Sequence, residues 1–344
     1  MTTATLTQPA APALAAFRCR VCGSTAEPGR HTAREMMFGT RQAFDYLQCA
    51  ECGCLQIAQF PADPGAYYGG AYYSFTEDPA DAYRSPAKNL LNRWRDQATL
   101  FLPGGDRLPF RVSVPHLRTG FEFLRRVPGL SLHSRMVDIG CGSGILLHRL
   151  HNAGFRDLTG ADPFLAGGDR QVGRGFRMLA RDAQSLDDGP YDIVLMNHSF
   201  EHVPDPAATM AAVARLLAPG GTAVIRVPLC DSEAWQRYGA DWFQLDAPRH
   251  YYLHTQRSLR LLAGRAGLAV ARVVHDSDHH QFTLSERYRD DVPLVRDPQR
   301  PDGKPSWAGL TEAQVQEFEA LAQRLNAEGR GDQATFYLRH AQPA

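Results

Sequence analysis

The feature that most constrains this chain is the run Val137, Asp138, Ile139, Gly140, Cys141, Gly142, Ser143, Gly144. It joins an apolar stretch to a helix-like one beginning at Ile145, and glycines at such a junction let the backbone turn sharply and approach a ligand. A dinucleotide fingerprint wants glycine at the first, third and sixth positions. Here the glycines alternate and the sixth position is Ile145. Asp138, two residues before the first glycine, would repel a pyrophosphate but suits a ligand carrying an ammonium and a sulfonium.

Strand and helix signals alternate from this run onward. Arg135 to Ile139, Leu158 to Ala161, Tyr191 to Met196 and Thr222 to Val227 read as strands, and Ile145 to Ala153 and Ala207 to Leu217 as helices. That alternation predicts an α/β fold with a mainly parallel, Rossmann-like sheet covered by helices on both faces. Pro219, Gly220 and Gly221 are expected to stop one helix and feed the next strand. Thr255 is placed to cap a helix through Arg265, followed by a strand from Leu268 to Val274. A helical stretch from Thr311 to Leu325 precedes a final strand from Ala334 to Arg339, readable as an antiparallel insertion.

Other polar residues fall at the carboxyl ends of successive strands, where such sheets bind ligands. Asp162 lies roughly 20 residues after the glycine turn, the place of an acid that accepts from both ribose hydroxyls. Asp182 and Ala183 follow the apolar segment Phe176 to Ala180, where an acid can accept from an adenine amino group. Asn197, His198 and Ser199 end the next strand. Any one of these reads equally as a turn former; it is their order that carries weight. Together the segments VDIGCGSG, GADP, ARDAQSL, YDIVLMNHSFEHVPDP and LLAPGGTAVIRVP resemble the successive motifs of class I S-adenosylmethionine-dependent methyltransferases. The resemblance covers about the middle third of the chain. It implies that Asp138, Gly140, Gly142 and Gly144 surround the methionine part of S-adenosyl-L-methionine, Asp162 the ribose, and Asp182 with Ala183 the adenine. Asn197 and His198 would face the methyl group.

Charge narrows the partners. Lys plus Arg number 37 and Asp plus Glu 37, so no overall field recruits nucleic acid or an anionic membrane. A small-molecule acceptor is expected, and no stretch approaches the roughly 20 apolar residues of a membrane span. Residues 1–16, rich in Ala, Thr and Pro, lack the pattern of a signal peptide and read as a disordered leader. The cytoplasm is the expected compartment, where seven cysteines serve as ligands or free thiols rather than disulfides.

Cysteines and aromatics dominate residues 17–82. Cys19 and Cys22 form one CxxC knuckle and Cys49 and Cys52 a second, each followed by glycine (Gly23, Gly53). Four thiolates suit structural, tetrahedral zinc, with chance thiols or a redox pair as the alternatives. The interval between knuckles is long, so a loop or hairpin must fill it, and Phe38 to Leu47 can supply one. Cys54 is a competing ligand, whereas Cys141 and Cys230 read as small core residues. A helical connector (83–130) follows, in which Leu90, Leu91, Trp94, Ala98 and Phe101 recur at helical spacing up to a stop at Pro103, Gly104 and Gly105. Residues 131–344 form the core, with an acceptor loop at 229–254 and a C-terminal helical insertion.

A two-knuckle lobe fused to this core, followed by Tyr67, Tyr68, Tyr72 and Tyr73, is similar to sugar methyltransferases of glycan and deoxysugar pathways. The resemblance implies a sugar, nucleotide sugar or glycan intermediate as acceptor. The sugar C-methyltransferases carry a tyrosine and a His-Glu-His cluster after the fifth strand. The corresponding stretch here is Asp246, Ala247, Pro248, Arg249, His250, Tyr251, Tyr252, in which His250 is the clearest counterpart.

Methyl transfer is an in-line displacement in which alignment supplies much of the acceleration, and a hydroxyl or carbon acid also needs a base. The candidates are His250, His202, Glu201, His198 and His254. Glu201 and His202 fit capping and packing as well as catalysis, and His254, His279 and His280 fit surface or core roles. Between Arg84 and Arg126 stand Arg84, Lys88, Arg93, Arg95, Arg107, Arg111, Arg118, Arg125 and Arg126 against Asp96, Asp106 and Glu122. They could grip a diphosphate or form a solvated helix face. Tyr67, Tyr68, Tyr72, Tyr73, Trp235, Trp242, Tyr251 and Tyr252 could stack on an acceptor or pack the core. The rival functions are O- or N-methylation of another metabolite and a non-catalytic zinc and cofactor-binding interaction module.

Overall fold

Met136, Val137, Asp138 and Ile139 are all buried, as expected of a central parallel strand covered on both faces. The structure is a computed structural model that describes residues 17–68, 86–103, 121–294 and 309–342. The leader at 1–16, Tyr72, Tyr73, Arg84, Arg107, Arg111 and Arg118 lie outside the described residues. In chain order the strands are β1 (Gly29–Arg34), β2 (Ala43–Gln48), β3 (Leu55–Ile57), β4 (Met136–Ile139), β5 (Leu158–Ala161), β6 (Arg170–Gly173), β7 (Phe176–Leu179), β8 (Tyr191–Asn197), β9 (Leu217–Pro228), β10 (Tyr252–Leu253), β11 (Leu268–His275) and β12 (Gln333–His340). The helices are α1 (Pro86–Phe101), α2 (Ile145–Ala153), α3 (Pro206–Leu216), α4 (Glu233–Tyr238), α5 (Gln256–Arg265), α6 (His280–Arg289) and α7 (Glu312–Ala327).

The large sheet runs β11-β12-β9-β8-β4-β5-β7-β6. Its centre, from β9 through β8, β4 and β5 to β7, is parallel. The final strand β12 inserts antiparallel between β9 and β11, as its pattern suggested. The six strands read from the sequence are present, the apolar segment at Phe176 forms the seventh strand expected of a methyltransferase core, and β6 adds an antiparallel edge beside β7. Chain order turns back at β4, with β5 on one side and β8 on the other, and the crevice at such a switch point is where ligands bind.

Local chemistry sets the helix ends. Asp205 accepts from the backbone N–H groups of Ala207 and Ala208 and places Pro206 at the first position of α3. Thr255 and Ser258 close a capping box on α5, and Thr311 with Gln314 another on α7. Helix α3 stops at Leu216, before the Pro219–Gly221 turn, which lies within the irregular first part of β9. Three short elements, α4, α6 and β6, carry too little periodicity to announce themselves.

The apolar stripe expected on α1 does not face the core. Leu90, Leu91 and Trp94 are 70%, 56% and 57% exposed, whereas Ala98 and Leu100 are buried. The other face docks on α2, because Asp96 forms a buried ion pair with Arg149 at 3.1 Å and the Gln97 amide donates to Ala153 O. Two polar anchors thus override the hydrophobic period.

The cysteine-bearing segment folds as an antiparallel hairpin, β1 with β2, continued by β3. The hairpin fills the interval between the knuckles. Its sheet is completed by β10, which comes from the segment 229–254 expected to be the acceptor loop. One buried cluster contains both Cys19, Val21 and Tyr46 of this lobe and Val137, Phe200 and Leu253 of the core. Among the described residues, no helix is long and apolar enough to cross a membrane.

Candidate active site

The glycine run leaves β4 beside the end of β8. Gly140 has φ 76°, and a Cβ there would lie 2.4 Å from Ser199 Cβ, so this contact excludes any side chain. Ser199 Oγ donates to Ile139 O at 2.6 Å, which ties the two strand ends together. Asp138 faces neither water nor a cation. Burial, reinforced by the nearby Asp162 carboxylate, pushes its carboxyl up to about 8. Asp162 closes β5, where its oxygens accept from Gly142 N at 2.9 Å and Phe164 N at 2.8 Å. Each oxygen keeps acceptor capacity for a hydroxyl.

The next two positions differ in character. Asp182 is exposed and its Oδ1 accepts from both the N–H and the hydroxyl of Ser185, which holds its carboxyl below the usual range. It thus makes the local turn that a lone Asp suggests. Ala183 beside it is buried. Asn197 ends β8 with a buried Oδ1 that has no hydrogen-bond partner among the described residues. His198 follows at φ 52°, in the left-handed region that a residue without special support avoids.

An orphaned acceptor, a glycine floor without room for a Cβ, a buried carboxyl with no counter-charge among the described residues and a second acid with spare acceptor capacity form a set. Its chemistry fits a cationic nucleoside ligand such as S-adenosylmethionine. A pyrophosphate would meet Asp138 and Asp162 with the wrong sign.

Past β8 the chain makes a short turn, Phe200–His202, that carries Glu201 inward to complete burial. Neither Glu201 oxygen makes a sound hydrogen bond, although His198 Nδ1 lies 3.4 Å from Oε1. Burial alone would push this carboxyl up; the His198 imidazole and the His202 and His250 rings more than offset that and hold it down to about 2. His250 reaches the same point from the loop before β10. Its Nδ1 lies 2.7 Å from Gln244 O, so Nδ1 carries the proton and Nε2 is left as an acceptor. That Nε2 stands 3.9 Å from Glu201 and 3.8 Å from Asp246, a range of charge stabilisation rather than of a made hydrogen bond. His202 packs edge-on against His250 at 4.7 Å, and its Nδ1 donates to Arg249 O at 2.9 Å. Burial and the neighbouring His250 ring lower its basicity. Ligand atoms of Glu201, His202 and His250 all lie within 4.8 Å of one another, a spacing a divalent cation can also bridge. Glu201, His202 and His250 are thus brought together from two separate segments.

His254 is fully buried, and burial lowers it to about 4, so it is a core residue. His279 and His280 stack on each other far along the chain, at the start of α6. The aromatic platform resolves mainly into core. Trp242 and Tyr252 have no exposed surface and Trp235 and Tyr251 have 8%, with Trp242 Nε1 donating to Asp332. Tyr67 hydrogen-bonds Gln42, and Tyr68 contacts His202 Nδ1 at 3.1 Å. Tyr68 also stacks at 6.4 Å on Phe164, a 67% exposed ring two residues after Asp162. Of the connector's basic residues, Arg95 pairs with Asp96 and Arg125 donates to Leu102 O, so both serve the fold.

The sequence also passed over Glu35, Tyr46, Asp246 and Arg249. Arg249 is fully buried between Asp246 and Glu35. The spacing of Asp246 to Arg249 and His250, three and four residues, was the available signal; Glu35 and Tyr46 had none.

Cys19, Cys22, Cys49 and Cys52 converge so that all four sulfurs lie within 4.8 Å. Cys19 is 3.7 Å from Cys52 and Cys22 is 3.5 Å from Cys49. A tetrahedral zinc with bonds of about 2.3 Å separates its sulfurs by about 3.8 Å. Cys54 points elsewhere, toward Leu55 O and His254. Cys230 is buried, while Cys141 is half-buried on the glycine run.

Residues 116–273 match a family described as a methyltransferase domain. A ubiquinone biosynthesis O-methyltransferase of Aromatoleum aromaticum is 32% identical over 157 residues, 42% of this chain and 60% of that protein. Its namesake from Aeromonas salmonicida is 27% identical over 212 residues, 58% of this chain and 85% of the relative. The chain therefore spans about 60% of the length of the first of these relatives. Among solved structures, an S-adenosylmethionine-dependent methyltransferase of Mesorhizobium loti aligns with TM-score 0.37 at 19% identity, over 60% of this chain and 91% of that one. From the strand order, the motif-bearing strand ends and the match at 116–273, the chain carries a class I S-adenosylmethionine-dependent methyltransferase domain.

Proposed function

We propose that the protein transfers a methyl group from S-adenosylmethionine to a hydroxyl of a small acceptor, with His250 as the general base. The observation that carries this reading is the His250 Nε2 acceptor, left free by the Nδ1 bond to Gln244 O and set beside the Glu201 and Asp246 carboxylates at the mouth of the sheet. When bound, the cofactor supplies an electrophilic methyl on a sulfonium. Asp138, Gly140, Gly142 and Gly144 would hold its methionine end, Asp162 the ribose, and Asp182 with Ala183 the adenine. Asn197 and His198 would line the side facing the acceptor.

As the acceptor oxygen takes the methyl and the carbon–sulfur bond breaks, the hydroxyl proton passes to His250 Nε2. The imidazolium so formed is stabilised by ionised Glu201 and by Asp246, the role a carboxylate plays beside a catalytic histidine. His202 shapes the pocket from the edge of the His250 ring. A hydroxyl is favoured over a carbon acid because one histidine supported by carboxylates suffices for it.

The relatives, which by name methylate oxygen in ubiquinone biosynthesis, favour the O-methyltransferase alternative over the sugar acceptor suggested by the lobe. The exposed Phe164 beside Tyr68 suits a planar acceptor as well as a sugar face. Screening hydroxylated aromatics, quinols and nucleotide sugars with methyl-labelled cofactor discriminates these classes. Absence of cofactor binding would overturn the whole reading.

The four knuckle cysteines would hold a structural zinc, since all four positions are filled by thiolates and none is open. Metal analysis should find about one zinc per chain, lost in Cys52→Ser. Well under one zinc in the unaltered protein would remove this assignment.

A further inference from the structure

We infer that Glu35 and Tyr46 are positioning residues for His250, so that the cysteine-bearing lobe holds the acceptor loop in register together with the turn after β8, which bonds the loop through Glu201 O and His202 Nδ1. The inference rests on the reading of His250 as base. Two separate connections carry it.

The first is a buried charge relay. Arg249 Nε lies 3.0 and 3.1 Å from the Asp246 oxygens, and its Nη atoms lie 3.1 and 3.2 Å from Glu35 Oε1. Glu35 is itself fixed, accepting from Phe38 N, Thr40 N and Thr40 Oγ1 at 2.9 to 3.0 Å. Asp246, at φ 38°, in turn accepts the backbone N–H groups of Arg249 and His250 on its carbonyl, and its carboxylate stands 3.8 Å from His250 Nε2. A wholly buried guanidinium between two carboxylates adds little net stability, because desolvation offsets the attraction. What it does specify is geometry, since displacement of any member leaves a buried charge unpaired.

The second connection is neutral. Buried Tyr46 on β2 donates to His250 O at 2.9 Å, and Ile57 N donates to Tyr251 O at 2.9 Å. The next two residues, Tyr252 and Leu253, pair with Gln56 and Leu55 of β3. The carbonyl of the base and the strand after it are therefore bonded to the lobe. The hydrogen bonds of the Glu35 and Tyr46 side chains go to the lobe and the acceptor loop, with none to the cofactor-facing strand ends.

Glu35→Gln in the full-length protein keeps volume and removes one charge, while Tyr46→Phe removes one hydroxyl. Amide hydrogen exchange reports on residues 244–254. The proton that His250 Nδ1 shares with Gln244 O should give a protected imidazole resonance in proton NMR, assigned by its loss in His250→Asn. Calorimetric affinity for S-adenosylmethionine reports on the other half of the site. Glu35→Gln is expected to speed exchange in 244–254 by about tenfold or more and to abolish the resonance, with cofactor affinity unchanged. Tyr46→Phe should produce a smaller change in the same segment, and it decides the matter if Glu35→Gln does not fold. Unaltered exchange and an unaltered resonance in the folded variants overturn the inference. So does loosening spread evenly over the chain together with lost cofactor affinity. Failure of the unaltered protein to bind S-adenosylmethionine would instead remove the functional reading beneath it.

Discussion

The proposed cofactor half and the proposed acceptor half of this site are built by opposite means. In the first, each functional group sits at the end of its own strand, β4, β5, β7 or β8, and is held by neighbours within a few residues or on the adjoining strand. In the second, Glu201, His202 and His250 converge from two segments nearly 50 residues apart, and the segment that carries His250 is bonded in addition to Glu35 and Tyr46 some 200 residues away. A parallel sheet delivers its strand ends to one edge by topology alone, so the first half follows from local pattern. The second requires packing between distant segments.

The largest effect expected from breaking this division is on turnover. His250→Ala should lower the rate with a hydroxyl acceptor by about 100- to 10,000-fold while leaving S-adenosylmethionine affinity intact. Full turnover in that variant would return the role of base to another residue. Asp162→Ala makes the converse change. Loss of two hydrogen bonds to a charged carboxylate should weaken cofactor binding by about 100-fold, read by calorimetry. Binding that survives unchanged would sink the assignment of the cofactor half.

Protonation separates the halves further. Burial and Asp162 push Asp138 up to about 8 in the free protein, whereas a ligand ammonium needs the ionised carboxylate. Below that value binding must expel a proton, so affinity should fall by about tenfold per pH unit from about pH 8 toward about pH 6. Calorimetry in buffers of different ionisation heat should register the released proton. A flat profile over that range would mean that Asp138 does not meet the cation. The smallest effect belongs to Asp182→Ala, because Asp182 is exposed and already serves the turn through Ser185. A loss of about 1 kcal/mol, or a few-fold in affinity, is expected. A loss as large as that of Asp162→Ala would give the adenine end more weight than its exposure suggests.

Legibility follows the same line. The places of Asp138, the three glycines, Asp162 and Asn197 at strand ends and turns were visible because such features are short-range. Cys19, Cys22, Cys49 and Cys52 were visible because CxxC spacing is itself a local geometry, and the fold brings the two pairs together. Helix α1 misled, since its apolar period is real while the Asp96–Arg149 pair turns that stripe outward. The aromatics were left open for a related reason: Trp235, Trp242, Tyr251 and Tyr252 look alike in sequence whether they line a site or fill a core, and here they fill it.

By itself the sequence determined the doubly wound sheet, the methyltransferase domain, the order of polar residues along the strand ends and the pairing of knuckles. Each of these depends on period, spacing or turn chemistry within tens of residues. Only the tertiary structure decided that the cysteine-bearing lobe lends its sheet to β10 and its Glu35 to Arg249, and that Glu201 and His250 face each other. Those contacts arise from burying charge among distant segments, where the partner that satisfies a group is fixed by packing and leaves no periodic trace along the chain.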